Sequence, residues 1–178
     1  MKIVAIGGEP GSGKTTLMKR IISGLNLVPE YNSFKLVPYL KSNDVYVLGK
    51  YEENEVFAGT DKMSMAVQPE AIKFLDSLSK NSIILYEGDR LFNNSFLENC
   101  LQKYDLKIIY LKTNKEIRTE RYKDRGSNQN QKWLDGRETK VANILSNLDF
   151  LFCIEKFDNN TIEEQNKVYE YIMSLIGE

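Results

Sequence analysis

The chain contains no histidine and two cysteines, Cys100 and Cys153. The first absence excludes His-ligated metal sites, Ser-His-Asp triads and Cys-His dyads. Catalysis must therefore come from carboxylates, lysine, arginine, hydroxyls or a metal held by oxygen. Two cysteines are too few for a disulfide framework, and both sit in apolar company, as reduced core residues of a cytosolic protein would. The 4 prolines and 11 glycines exclude a collagen-like or linker-rich chain. No apolar run approaches the roughly 18 to 20 residues of a membrane span. The N-terminus has no charged flank, apolar stretch and small-residue cleavage site of a signal peptide, so a cytoplasmic protein without a membrane contact is expected. With 24 basic against 25 acidic residues the net charge is −1, and no global field draws the protein to nucleic acid or membrane. What is present is 178 residues, 42% hydrophobic and 28% charged, enough for one globular domain with a sizeable core.

Apolar runs of strand length alternate with segments of helical period. Residues 2–6 form a short continuous apolar run that ends at Gly7-Gly8, as a buried parallel strand does. Leu17, Met18, Ile21, Ile22 and Leu25 recur at helical spacing. Apolar runs at about 34–40 and 45–48 follow. Pro69 suits the first turn of a helix with Ala71, Phe74, Leu75 and Leu78 on its apolar face. Strands are predicted at 83–86, 107–111 and 150–154, and helices at 92–103 and about 137–145. Thr113/Glu116 and Thr161/Glu164 have capping-box spacing, the second before a final helix with Val168, Ile172, Leu175 and Ile176. Residues 126–136 are polar and bounded by glycine, which reads as a mobile loop. This order predicts one α/β domain with a parallel sheet flanked by helices and right-handed crossovers.

Gly8-Glu9-Pro10-Gly11-Ser12-Gly13-Lys14-Thr15 matches the pattern GxxxxGK(S/T) at every fixed position. Glycines allow successive backbone N–H groups to turn inward as an anion nest, and the following helix adds its N-terminal N–H groups and dipole. Lys14 is placed to reach β- and γ-phosphates, and the Thr15 hydroxyl to ligate Mg²⁺. Extended to Thr16, the loop resembles those of P-loop nucleoside and nucleotide kinases. Glu87-Gly88-Asp89-Arg90, after the 83–86 strand, is similar to the Asp-Arg signature of thymidylate kinases. The resemblance implies a P-loop fold with a mobile lid, an ATP site made by Gly8, Gly11, Ser12, Gly13, Lys14, Thr15 and Thr16, and Mg²⁺ at Thr15 and Asp89. Either Glu87 or Asp89 serves the metal or the acceptor hydroxyl, and Arg90 binds an acceptor phosphate.

Arg118, Arg121 and Arg125 fall at i, i+3 and i+7 on one helix face, and Arg137 stands beyond the 126–136 segment. That order resembles the arginine-bearing lid of adenylate- and thymidylate-type kinases, which implies catalytic roles for Arg121, Arg125 and Arg137. Trp133, inside the segment, either packs on the base or anchors the lid. Tyr51, Phe57, Ala58-Gly59-Thr60-Asp61 and Met63 to Met65 occupy the acceptor stretch. Asp61 is a candidate substrate ligand there, although a plain hairpin fits equally.

Residues 103–140 carry 11 basic and 6 acidic groups, whereas 149–178 carry 2 and 7; the basic half suits polyphosphate. The expected activity is transfer of the ATP γ-phosphate to a nucleoside monophosphate. Some bacteriophage P-loop kinases of this group phosphorylate 5-hydroxymethyluracil in DNA, and the 16 asparagines fit an AT-rich phage or bacterial gene, so DNA stays open as an acceptor. An acceptor-independent ATPase is the rival class. A GTPase is rejected, because Thr113-Asn114-Lys115-Glu116-Ile117 puts Ile where the guanine-reading motif needs Asp.

Overall fold

The run from Ile3 to Ile6 is fully buried in β1 (Lys2–Gly7), and the glycine loop leads from it into α1 (Lys14–Gly24). The chain continues through β2 (Val28–Glu30), β3 (Tyr39–Ser42), β4 (Val45–Leu48), α2 (Val67–Ser77) and β5 (Ile83–Glu87). It ends with α3 (Asn94–Lys103), β6 (Asp105–Lys112), α4 (Lys115–Asp124), α5 (Gln131–Leu145), β7 (Ile154–Asp158) and α6 (Ile162–Gly177). The computed structural model describes residues 1–30, 34, 36–52, 58–124, 126 and 129–177. Among these, seven strands form one sheet in the order β2-β3-β4-β5-β1-β6-β7. The five from β4 to β7 are parallel, and β2 and β3 add an antiparallel edge.

Strand alternation decides which helices cover which face. Ile3, Ala5, Ile84 and Tyr86 face α2, α3 and α5 and meet Phe74, Phe96 and Ile144. Val4, Ile6 and Leu85 face α1 and α6 and meet Leu17, Ile21, Val168 and Ile172. Tyr86 and Phe96 anchor the first face, edge to ring at 5.6 Å. Cys100 is buried on that face and Cys153 half-buried against it; both are free thiols, and burial pushes Cys100 up to about 12. β1 has β5 on one side and β6 on the other, so connections diverge at its carboxyl end. Open α/β sheets bind ligands at such a switch point. No described helix is long and apolar enough to cross a membrane.

Several expected boundaries move. The segment 126–136 is not one loop, because α5 begins at Gln131. Asn130 caps it by accepting the Trp133 N–H at 2.9 Å, and Gly136 lies inside the helix with open space around it. Trp133 and Arg137 therefore stand on one helix, a turn apart. The run 150–154 is not a strand. Asn147 accepts the Asp149 N–H at 3.0 Å and starts a 3-10 turn that buries Phe150, and β7 begins only where Ile154 aligns with Ile108. Thr113 forms no capping box; its hydroxyl lies between the carbonyl oxygens of Ser12 and Asn159, at 3.3 and 3.2 Å. The Thr161/Glu164 box is present in both directions. The apolar run 34–40 contributes only its end to β3, and β2 is a strand of three exposed residues that periodicity did not mark.

Candidate active site

Gly11 and Gly13 have φ of 81° and 91°, a region that L side chains avoid. A Cβ would stand 2.6 Å from the Arg118 carbonyl oxygen at Gly11, and 2.6 Å from Asn159 Nδ2 at Gly13. The loop is thus glycine-rich both to curl and to fit between α4 and the turn after β7. Lys14 folds back over it and donates from Nζ to the carbonyls of Gly8 and Glu9, at 2.7 and 2.9 Å, and to Ser12 Oγ at 3.4 Å. Burial lowers the Lys14 pKa, against the opposing pull of Glu87, Asp89, Asp61 and Glu9. Ser12 is fully buried, whereas Thr16 faces outward.

The β1–β5 register pairs Ile6 with Glu87, which brings the end of β5 beside the loop. Glu87 is 2% exposed and accepts a hydrogen bond from the Thr15 hydroxyl at 3.1 Å. Past it, Asp61 Oδ1 accepts the Asp89 N–H at 2.7 Å. Burial raises the Asp61 pKa, the neighbouring Asp89 raises it further, and the Asp89 N–H, Lys14 and Arg137 oppose the shift. A carboxyl group whose folded pKa is raised favours the folded state below its unfolded pKa, and that contribution is lost as pH rises through the folded value. Asp61→Asn should therefore raise Tm at pH 7 by roughly 2 °C, and the gain should vanish towards about pH 4. Thermal melts of both proteins at several pH values measure it.

The other wall is α5. Arg137 forms an ion pair with Asp89, and its guanidinium lies 4.8 Å from the centre of the Trp133 ring. Lys140, one turn on, donates to the Asp89 carbonyl at 2.8 Å, and burial lowers its pKa. A single cleft is lined by Lys14, Thr15, Asp61, Glu87, Asp89 and Arg137. Arg90 donates from Nε to the Met63 carbonyl at 3.3 Å and lines an adjoining pocket with Asp61 and Arg137.

The remaining arginines divide. Arg118 pairs with Glu138 at 2.7 Å, and Arg121 donates to the carbonyls of Asn159 and Asn160 at 3.0 and 2.9 Å; neither lines that cleft. Arg125 and Phe57 lie outside the described residues. Sequence reasoning missed Asn159, which is fully buried and donates to the Ser12 carbonyl at 2.7 Å. It also missed Lys140 and Tyr122, the latter a lining residue of the cleft. Their signal is spatial only: a helical turn from Arg137, and a strand end beside the loop.

An anion nest wrapped by an ammonium group, at the switch point of a mostly parallel sheet, defines a P-loop nucleotide-binding protein. The sequence matches the family P-loop Nucleotide Kinase3 over residues 1–152, and the chain belongs to that family. No curated protein matches it. Among solved structures, a deoxyadenosine kinase from M.mycoides with bound dATP is similar at 18% identity and a TM-score of 0.54, over 100% of both chains. A sugar kinase from Janibacter sp. HTCC2649 is similar at 12% identity and a TM-score of 0.52, over 97% of this chain and 92% of that one. Both share the fold.

Proposed function

We propose that the protein transfers the γ-phosphoryl group of ATP to a nucleotide-like acceptor, a (deoxy)nucleoside monophosphate being the first choice. The observation that carries this reading is the Thr15–Glu87 hydrogen bond, which joins the phosphate loop to a buried acid group at the end of the adjacent strand. Phosphoryl transfer asks a protein for positioning and charge stabilisation more than for covalent chemistry. In this reading Lys14 leaves the loop carbonyls for the β- and γ-phosphates, and Arg137 leaves Asp89 for the transferring group. By resemblance alone, catalytic roles are also carried for Arg121 and for Arg125, the latter outside the described residues.

The donors fit Mg²⁺. A hydroxyl beside a carboxylate supplies the hard oxygen ligands it takes, and it ordinarily keeps several waters and phosphate oxygens. Thr15 and Glu87 would hold it, with Asp89 available once Arg137 departs; the ion would neutralise charge on the phosphates.

On the acceptor side, Arg90 and Arg137 border Asp61, which suits a monophosphate. A second reading, an acceptor hydroxyl, is favoured by the place of Asp61 in the cleft beside Glu87 and Asp89, where burial makes its carboxylate a stronger base than an exposed one. ADP release measured with ATP, Mg²⁺ and single acceptors separates the two. Deoxynucleoside monophosphates, deoxynucleosides and DNA containing 5-hydroxymethyluracil form the panel. Stimulation by monophosphates, with diphosphate product, is expected. Stimulation by nucleosides or by the modified DNA selects the hydroxyl reading. Equal hydrolysis with and without every acceptor overturns the kinase assignment in favour of an ATPase.

A further inference from the structure

Trp133 is the only tryptophan of the chain, and it stands in the first turn of α5, where Asn130 accepts its N–H. Among the described residues the buried positions of that helix are Val141 and Ile144, roughly two and three turns further on. Trp133 packs into neither core face of the sheet. Its half-buried ring instead lines the cleft. A large amphipathic ring outside the core, beside charged groups, is placed to meet a ligand.

The same ring also lines the pocket that adjoins the cleft. Asp61, Trp133 and Arg137 belong to both spaces and form the wall they share. The phosphate loop lines the cleft and not the adjoining pocket, whose other residues are Arg90 and Gln129. A ligand there lies across the shared wall from the phosphate loop, which is the place of an acceptor and not of the donor phosphates. The pocket's volume of about 220 Å³ is below the roughly 300 Å³ at which sites that enclose a drug-sized molecule begin. It therefore takes one part of a nucleotide rather than the whole.

The guanidinium of Arg137 covers the ring, 4.8 Å from its centre, while pairing with Asp89. In the kinase reading Arg137 turns to the transferring phosphoryl group, and the ring face that it covers is then open. An electron-rich face that holds a cation also stacks a planar base, and every base has a π-face to offer. Gln129, half-buried at the same pocket, has an amide that both donates and accepts, as contact with a base edge requires. We propose that Trp133 is the platform on which the nucleobase of the acceptor stacks, with the reacting oxygen turned to the shared wall at Asp61 and Arg137; this rests on the kinase reading above. The ring then selects a class of acceptor, because a bare sugar or sugar phosphate has no base to stack.

Two substitutions separate stacking from bulk. Trp133→Leu keeps an apolar side chain and removes the ring, whereas Trp133→Phe keeps a ring. The reactions contain ATP, Mg²⁺ and whichever of the deoxynucleosides, deoxynucleoside monophosphates or 5-hydroxymethyluracil DNA the unmodified protein phosphorylates. Trp133→Leu should raise the acceptor KM about tenfold, the scale of one base–aromatic stack, and Trp133→Phe should recover most of that loss. The KM for ATP should stay unchanged in both, and the ligand-free Tm should change little, since the ring lies outside the core. An acceptor KM unmoved by Trp133→Leu overturns the assignment and leaves the kinase reading intact. So does an equal rise in both variants, which denies the ring its role. A KM for ATP that rises as far as that of the acceptor makes Trp133 a donor contact or, where Tm also falls, an anchor of α5; either result overturns the assignment. Absence of acceptor-dependent turnover in the unmodified protein overturns the kinase reading, and the assignment with it.

Discussion

Lys14→Ala should lower acceptor-dependent turnover by at least about a hundredfold, the scale on which deletion of one electrostatic contact to a transition state acts. The ammonium hangs over the loop from the first turn of α1, and it is the cation in direct contact with the loop carbonyls. A methyl group in its place leaves the phosphates facing backbone N–H groups and the helix dipole alone. Stability should change little. The lost hydrogen bonds go to the carbonyls of Gly8, which lines the cleft, and of Glu9, and a desolvated charge is removed with them. Lower turnover with Tm within a few degrees of the unmodified protein is the expected result; near-normal turnover would remove the loop from the chemistry.

Glu87→Gln should be comparably damaging to turnover, by about a hundredfold, with the affinity for metal-free ATP unchanged. The two side chains have the same shape, and the amide oxygen can still accept from Thr15, so the loop geometry is kept. What disappears is the buried charge 3.1 Å from the Thr15 hydroxyl, the charge that the proposal assigns to Mg²⁺. Hence the Mg²⁺ concentration needed for half-maximal rate should rise in the variant. Asp89→Asn is the comparison, since its carboxylate faces Arg137 rather than Thr15. An equal shift in Mg²⁺ demand for both variants would move the metal role from Glu87 to Asp89.

The parts of this fold that could be read in advance are those made by contiguous residues. The loop from Gly8 to Thr15 was readable because one segment supplies the nest, the ammonium and the helix start. Strands β1 and β5 were readable because burial on both faces leaves an uninterrupted apolar run. The start of α5 was not: its first turn is polar, and Gly136 looks like a loop boundary although it sits on the open face of a helix. The run at 150–154 misled because Phe150 is buried by a turn and Phe152 is 91% exposed, so apolar composition there does not mark a strand. In the site, Glu87, Asp89 and Arg90 could be located from their place after a strand. Which carboxylate meets Thr15 depends on the β1–β5 register, and the bracing of Ser12 by Asn159 joins residues 147 positions apart. Neither leaves a trace in local pattern.

The two rims of the sheet bear on how the chain avoids self-association. A free edge strand offers unpaired N–H and C=O groups to another molecule, and short, charged or proline-bearing edges discourage that pairing. β2 is one such edge: three residues long, with Pro29, which has no N–H to donate, at its centre and Glu30 beside it. β7 is the other, and sets Glu155, Lys156 and Asp158 along a five-residue strand. Both outer strands are therefore poor templates for a growing cross-strand stack. A parallel sheet, whose distant strands meet late in folding, is exposed to that hazard for longest.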